Sequence, residues 1–182
     1  MGLFDSFKKK FTPKPAPEDI NLTNLVRGDL FDYDLSSWEV KEVYLYDWGN
    51  EHFSREYKIS NGRDTAFLSV DRDEGELDMF LTRKVNVRAI QEDLPEILTE
   101  EGEPPTKLYH DGYTFLLEGE RPGYYKPEEA SDKAWEEFIS WEYADETDTL
   151  SLTLEQWDEK IFEAAYGKRV QPHEITNLLP GD

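Results

Sequence analysis

Alternation of apolar and charged residues is the feature that most constrains how this chain can fold. From Leu25 onward, short alternating segments are separated by turn residues, and residues 38–46 (WEVKEVYLY) are typical of a half-buried strand. Asn61-Gly62 is a strong hairpin signal, and Gly75 lies in a second turn that favours a positive φ. The pattern predicts a mostly β fold (a β-rich α+β fold) of antiparallel strands, with a short helix over residues 88–100 interrupted by Pro95.

The two halves of the chain resemble each other. The run DTAFLSVD at residues 64–71 is matched by DTLSLTLE at residues 148–155, and Glu56-Tyr57 is matched by Glu142-Tyr143. We interpret this as an internal duplication; chance similarity between two strand-rich segments is the alternative. The interpretation predicts one domain of two similar halves, residues 25–100 and 106–182, packed as a barrel or a sandwich. One shared core is expected to hold Trp38, Tyr57, Phe67, Trp141 and Tyr143.

The first residues differ in character from the rest of the chain. Residues 1–12 carry an apolar stripe beside three lysines, which predicts a basic amphipathic helix, and residues 13–24 form a proline-rich spacer. We expect the helix to dock on a membrane surface or a partner protein; packing of its phenylalanines onto the rest of the protein is the alternative. The expected docking residues are Leu3, Phe4, Phe7, Lys8, Lys9, Lys10 and Phe11.

Composition excludes several classes of function. The chain has 41 acidic against 20 basic residues and a formal charge of −21, so nucleic acid would be repelled. It contains no cysteine, which excludes disulfides and thiolate metal sites. No apolar run is long enough to span a bilayer, and we expect a cytoplasmic protein with peripheral contact at the inner face of the membrane.

No motif in the sequence specifies a reaction. The three histidines show neither a metal-binding spacing nor a nucleophile motif, and the acidic turn after Asp71 departs from the calcium-loop pattern. We therefore predict a non-enzymatic protein without a metal or cofactor. Aromatic residues flanked by acids can stack on cations, and the candidates for cation or partner binding are Tyr46, Trp48, Tyr124 and Tyr125.

Several runs are similar to a known family. RGDLFDYDLSSWEV, EYKIS, FLSVDRDEGELDM and FISWEYAD, together with the C-terminal run, resemble domain of unknown function 4178, an uncharacterised bacterial family. The shared motifs are Gly28-Asp29, Glu56-Tyr57, Leu68-Ser69 and residues 141–143. The resemblance covers about residues 25–180 and implies no known catalytic residues. It also implies gene neighbours such as phage-shock-protein-A-like membrane-remodelling proteins, aminopropyltransferases and small membrane proteins.

The sequence favours an adaptor that docks reversibly to a membrane surface or to a membrane-stress protein, such as a phage-shock-protein-A-like partner. Two alternatives remain. One is a protein that binds a polyamine or another small cation in association with an enzyme, and the other is an acidic decoy of a basic site. Salt dependence would separate them, because affinity in the decoy hypothesis falls steeply with ionic strength. Neither the partner nor the oligomeric state follows from the sequence.

Overall fold

The structure is a computed structural model that describes residues 20–73 and 75–181. Strands dominate this part of the chain, which confirms the β-rich prediction. The strands are β1 (Leu30–Tyr33), β2 (Ser36–Asp47), β3 (Phe53–Ser60), β4 (Thr65–Asp73), β5 (Glu76–Val85), β6 (Lys107–His110), β7 (Tyr113–Pro127), β8 (Glu136–Ala144), β9 (Leu150–Asp158), β10 (Ile161–Arg169) and β11 (Thr176–Leu179). The helices are α1 (Val87–Ile90), α2 (Leu94–Glu101) and a 3₁₀ helix at Pro172–Glu174. The predicted helix over residues 1–12 and most of the spacer lie outside the described residues.

All strand pairs are antiparallel, and their order is β11-β1-β2-β3-β4-β5-β10-β9-β8-β7-β6. An additional ladder joins β2 to β7, through Tyr44–Asp47 and Tyr124–Pro127, and closes the eight strands from β2 to β7 into a ring. β1 and β11 extend the sheet beyond the ring on one side, and β6 extends it on the other. Closure leaves no free edge among the eight ring strands, as in a barrel.

The two halves have the same strand order. β1 to β5 follow one another in the sheet as β6 to β10 do, and the halves meet where β2 pairs with β7 and β5 pairs with β10. α1 follows β5 in the first half, and the 3₁₀ helix follows β10 in the second. An internal duplication would produce this arrangement; common ancestry of the halves stays a prediction.

Two of the three apolar clusters, the first and second cores, lie outside the ring. The third, which we call the aromatic group, is built around Tyr44, Tyr46 and Phe138 and adjoins the ring interior. Trp38 and Tyr57 belong to the first core, whereas Trp141 and Tyr143 belong to the second, which α1 and α2 cover with Val87, Leu94 and Leu98. Phe67 belongs to neither of these cores and faces the interior of the ring. The expectation of one shared core was therefore wrong, because these aromatic residues are divided among separate clusters.

Local signals explain the turns and helices. In the β3–β4 turn, the Asn61 side chain accepts hydrogen bonds from the backbone of Arg63 (3.0 Å) and Asp64 (2.8 Å), and Gly62 has a φ of +86°. The helix expected over residues 88–100 is divided into α1 and α2, and Pro95 lies in the first turn of α2, where its missing N–H costs nothing. No helix in the described part of the chain is both long enough and apolar enough to cross a membrane.

Candidate ligand cavity

The ring encloses a cavity of about 270 Å³. Its walls are the side chains that alternate along each strand with those of the outer cores: on β4, Phe67, Ser69 and Asp71 line the cavity, whereas Leu68 and Val70 belong to the first core. The volume lies just below the range of about 300–1,000 Å³ typical of ligand sites. The cavity therefore suits a small molecule.

Charged residues are unusually frequent on the cavity walls. Seven acidic side chains line it: Glu56, Asp71, Asp78, Glu118, Glu142, Asp148 and Glu155. Four basic residues border it: Lys84, Arg121, Arg169 and Arg55, whose side chain pairs with Glu128 outside the lining. With all of these groups ionised and Arg55 left out, the side chains of the lining carry a net charge of 3 − 7 = −4. Such a charge distribution attracts cations.

One group of charges, which we call the Lys84 cluster, comprises Lys84, Glu56, Glu155 and Glu163. Lys84 Nζ lies 2.7 Å from Glu163 Oε2 and 3.4 Å from Glu155 Oε2. The Tyr46 hydroxyl donates a hydrogen bond of 3.2 Å to Glu56 Oε1. The four residues come from β5, β3, β9 and β10, so both halves build the cluster. It contains three carboxyl groups and one ammonium group.

Burial and like charge shift the pKa values in this cluster. Burial, reinforced by the nearby Glu155 carboxylate, raises the pKa of Glu56 to about 7. Burial also raises the pKa of Glu155, although Lys84 opposes the shift. Burial alone would lower the pKa of Lys84, but the Glu155 and Glu163 carboxylates outweigh it and raise that pKa above its ordinary value. Lys84 is therefore protonated at neutral pH, and Glu56 holds its proton more tightly than an exposed glutamate does.

A second group, which we call the Arg121 cluster, comprises Arg121, Asp71, Glu142 and His52. The Arg121 guanidinium contacts Glu142 at 3.3 Å and Asp71 at 3.7 Å, and His52 Nε2 lies 2.7 Å from Asp71 Oδ1. Both clusters reach solvent: the Glu142 side chain is 41% exposed, and in the Lys84 cluster Glu163 is 47% exposed. Glu155, at 13%, is the least exposed of these carboxylates.

Arg169 completes the charged lining. Its guanidinium donates two hydrogen bonds of 2.9 Å to the Asp148 carboxylate and also pairs with Asp78. Arg169 also lies over the Phe80 ring, 4.5 Å from its centroid. Arg169 on β10 thus contacts Asp78 and Phe80 of the first half and Asp148 of the second. These contacts connect β10 to β5, its neighbour in the sheet.

The charged residues of the two halves occupy equivalent positions. Offsets of 84 to 86 residues, the same that relate the similar sequence runs, connect them in pairs: Glu56 with Glu142, Asp71 with Glu155, Asp78 with Glu163, and Lys84 with Arg169. The β5–β10 ladder obeys the same relation, because its pair Lys84–Ala165 becomes Arg169–Phe80. Each end of the cavity thus carries a corresponding set of carboxylates.

Aromatic rings line the cavity beside the Arg121 cluster. Tyr46 and Trp48 stack with ring centroids 5.6 Å apart, and Arg121 lies 4.1 Å from the Trp48 centroid. Trp48 Nε1 donates a hydrogen bond of 2.8 Å to Ser54 Oγ. A Cβ atom on Gly123 would lie 2.9 Å from the Trp48 ring, so glycine is needed there for this close approach. The position of Trp48 is therefore fixed from several sides.

The residues predicted for cation binding are distributed unequally. Tyr46 and Trp48 line the cavity. Tyr125 belongs to the aromatic group, where its ring centroid lies 5.4 Å from that of Tyr46, and it does not line the cavity. Tyr124 is exposed on the opposite face of β7. The predicted docking residues Leu3, Phe4, Phe7, Lys8, Lys9, Lys10 and Phe11 lie outside the described residues.

Sequence reasoning missed the charged lining. Glu56, Lys84 and Glu155 were not predicted as site residues, although the recurrence of Glu56-Tyr57 as Glu142-Tyr143 was noticed. The signal that could have identified them is the repeat itself, because Glu56 and Glu142 occupy the same strand position in the two halves and both are charged. Among the described residues, no group of three or more His, Asp or Glu side chains is arranged to hold a metal ion.

Comparisons with known proteins agree with the resemblance seen in the sequence. The family described as Domain of unknown function (DUF4178) matches residues 27–172. An uncharacterized protein of Aquifex aeolicus (strain VF5) is 28% identical over 187 residues, which cover 99% of each chain. No solved structure matches the chain. The cavity geometry is therefore the main source for a functional proposal.

Proposed function

The chain belongs to the DUF4178 family, whose description assigns no activity, and we propose from the cavity that it binds a small organic cation inside the ring. The observation that carries the proposal is the excess of carboxyl groups in the Lys84 cluster, where Glu56, Glu155 and Glu163 share one ammonium group. This takes up the alternative of a polyamine or another cation that the sequence left open.

The carboxyl groups are costly for the protein without a ligand. A buried carboxylate is destabilising unless it is paired. Glu56 accepts its hydrogen bond from the neutral Tyr46 hydroxyl, and burial raises its pKa to about 7. An ammonium group bound beside Glu56 and Glu155 would supply the missing positive charge. Tyr46, Trp48 and Phe67 line the same cavity and offer ring faces, which attract cations further.

An anionic ligand is less well supported. Each basic side chain on the cavity wall already has a carboxylate partner: Lys84 pairs with Glu163 at 2.7 Å, Arg55 with Glu128 at 2.9 Å, Arg121 with Glu142 at 3.3 Å, and Arg169 with Asp148 at 2.9 Å. An anion would have to displace one of these partners. The protonated state of Lys84 also argues against a nucleophilic lysine, which is why we propose binding rather than catalysis.

Calorimetric titration of the full chain tests the proposal. We expect butylamine and 1,4-diaminobutane to bind and butyrate not to bind. Replacing Glu56 with glutamine should weaken amine binding at least about tenfold, as expected for the loss of a charged partner. Glu100→Gln is the matched control, because Glu100 lies exposed on α2 away from the cavity. Equal affinities of both variants and the wild type would refute the proposal.

The adaptor hypothesis rests on residues 1–11, which lie outside the described residues, and it stays a proposal. Its test is co-sedimentation of the full chain with anionic and neutral vesicles, beside the double variant Phe4→Glu/Phe7→Glu. Pelleting of the wild type alone, and only with anionic lipid, would support membrane docking. Equal behaviour of both proteins would contradict it.

A further inference from the structure

We propose that the ligand is a short linear dication, whose two ammonium groups bind the two corresponding carboxylate pairs of the cavity. One pair is Glu56 with Glu155 in the Lys84 cluster, and the other is Asp71 with Glu142 in the Arg121 cluster. This inference rests on the cation-binding function proposed above, and it specifies the class of ligand.

Both clusters contain more carboxyl groups than Lys and Arg side chains. In the Lys84 cluster, three carboxyl groups share one ammonium. In the Arg121 cluster, Asp71 and Glu142 share one guanidinium, and His52 also contacts Asp71. Within each pair, one carboxylate comes from the first half of the chain and the other from the second. The sequence offsets of 84 and 86 residues convert one pair into the other. The two subsites correspond in their carboxylates but differ in their cation, because the counterpart of Lys84 is Arg169 and not Arg121. A ligand with a charged group at each end fits two such subsites.

Strand register gives the spacing between the pairs. Glu56 is opposite Ser69, two residues before Asp71, and Glu155 is opposite Ser140, two residues before Glu142. Since a strand rises about 3.4 Å per residue, the pairs are separated by about 7 Å along the strands. Two ammonium groups at this separation require a linker of about four to six methylene groups, which is also small enough for a cavity of about 270 Å³.

The cavity wall near the pairs carries both apolar and hydroxyl side chains. Phe80 and Ala165 provide apolar surface for a methylene chain, and Ser69 and Ser140 line the wall at the level of Glu56 and Glu155. Trp48 lies beside Arg121, whereas the hydroxyl of Tyr46, which stacks on Trp48, bonds to Glu56 in the Lys84 cluster.

A length series of ligands tests this inference without any mutation. Calorimetric titrations would use linear diamines of two to eight carbon atoms and n-alkyl monoamines of the same lengths. We expect the affinity to be highest for diamines of four to six carbon atoms and to exceed that of the matching monoamine at least about tenfold, because each charged contact is worth about that factor. The two-carbon and eight-carbon diamines should bind no better than monoamines.

Two variants of equivalent residues add a second readout. Glu56→Gln and Glu142→Gln should each reduce the affinity of the best diamine to about that of a monoamine, whereas the exposed control Glu100→Gln should leave it unchanged. If diamines and monoamines bind equally and only Glu56→Gln weakens them, the ligand is a monocation; the dication inference fails and the proposed function survives. If no amine binds, or if all variants bind alike, both are refuted.

Discussion

Replacement of Glu56 by glutamine should stabilise the ligand-free protein, and only at neutral to alkaline pH. The folded structure raises the pKa of Glu56 from its ordinary value of 4.5 to about 7, chiefly through burial. A difference of about 2.5 pKa units corresponds to about 3 kcal/mol, at about 1.4 kcal/mol per unit. Glutamine has no charge to bury and keeps an oxygen that can accept the hydrogen bond from Tyr46.

The sign of the pH dependence follows from proton linkage. Because the folded protein holds this proton more tightly than the unfolded chain, the contribution of Glu56 to stability is fully present below pH 4.5. It decreases as the pH rises and is lost above about pH 7. The wild type and Glu56→Gln should therefore be similarly stable at pH 4.5, and the variant should be more stable by about 2–3 kcal/mol at pH 8.5.

Urea unfolding followed by tryptophan fluorescence measures this difference at both pH values. Glu100→Gln is the control, since removal of an exposed carboxylate should change the free energy of unfolding by less than about 0.5 kcal/mol at either pH. The reasoning is refuted if Glu56→Gln is less stable than the wild type at pH 8.5, or if its effect is the same at both pH values. A variant that gains stability and loses amine binding would identify Glu56 as a residue retained for binding.

Three further outcomes are expected. Gly123→Ala should displace the Trp48 ring, lower the free energy of unfolding by about 1–3 kcal/mol and weaken amine binding, as measured by urea unfolding and calorimetry; unchanged affinity would show that the Trp48 position does not matter. Amine affinity should rise as the pH increases through about 7, where Glu56 ionises, and this dependence should largely disappear in Glu56→Gln; a flat wild-type profile between pH 6 and 8 would contradict it. Asp145 accepts hydrogen bonds from Thr147 and from the backbone of Leu150, which hold its pKa at about 2 although burial opposes the shift. Asp145→Ala should therefore cost about 1–2 kcal/mol in urea unfolding at pH 7, a loss that shrinks as the pH falls from about 4 towards 2, and equal stability of the two proteins at pH 7 would contradict this.

Local signals allowed the strands and hairpins to be predicted, but not the closure of the ring. The β3–β4 hairpin follows from Asn61-Gly62, because that pair favours the turn by itself. The ladder between β2 and β7 joins residues about 80 positions apart, such as Tyr46 and Tyr125, and no short-range pattern specifies such a pairing. The ring interior was therefore expected to be an apolar core.

Alternation also fails to distinguish a face towards solvent from a face towards an enclosed cavity. The polar face of β4, with Ser69 and Asp71, has the pattern of a solvated strand, yet it lines the cavity. The same ambiguity separates two neighbours predicted together: Tyr125 points towards the interior aromatic group and Tyr124 points outward, because successive strand residues face opposite sides. Only the strand pairing that closes the ring determines which face lines the cavity and which face meets solvent.

A crystal structure of the protein grown with 1,5-diaminopentane would test the central claim most directly. The account predicts one extended ligand inside the ring, with one nitrogen beside Glu56 and Glu155 and the other beside Asp71 and Glu142. An empty cavity, with diamine bound only to carboxylates on the outer surface, would contradict it.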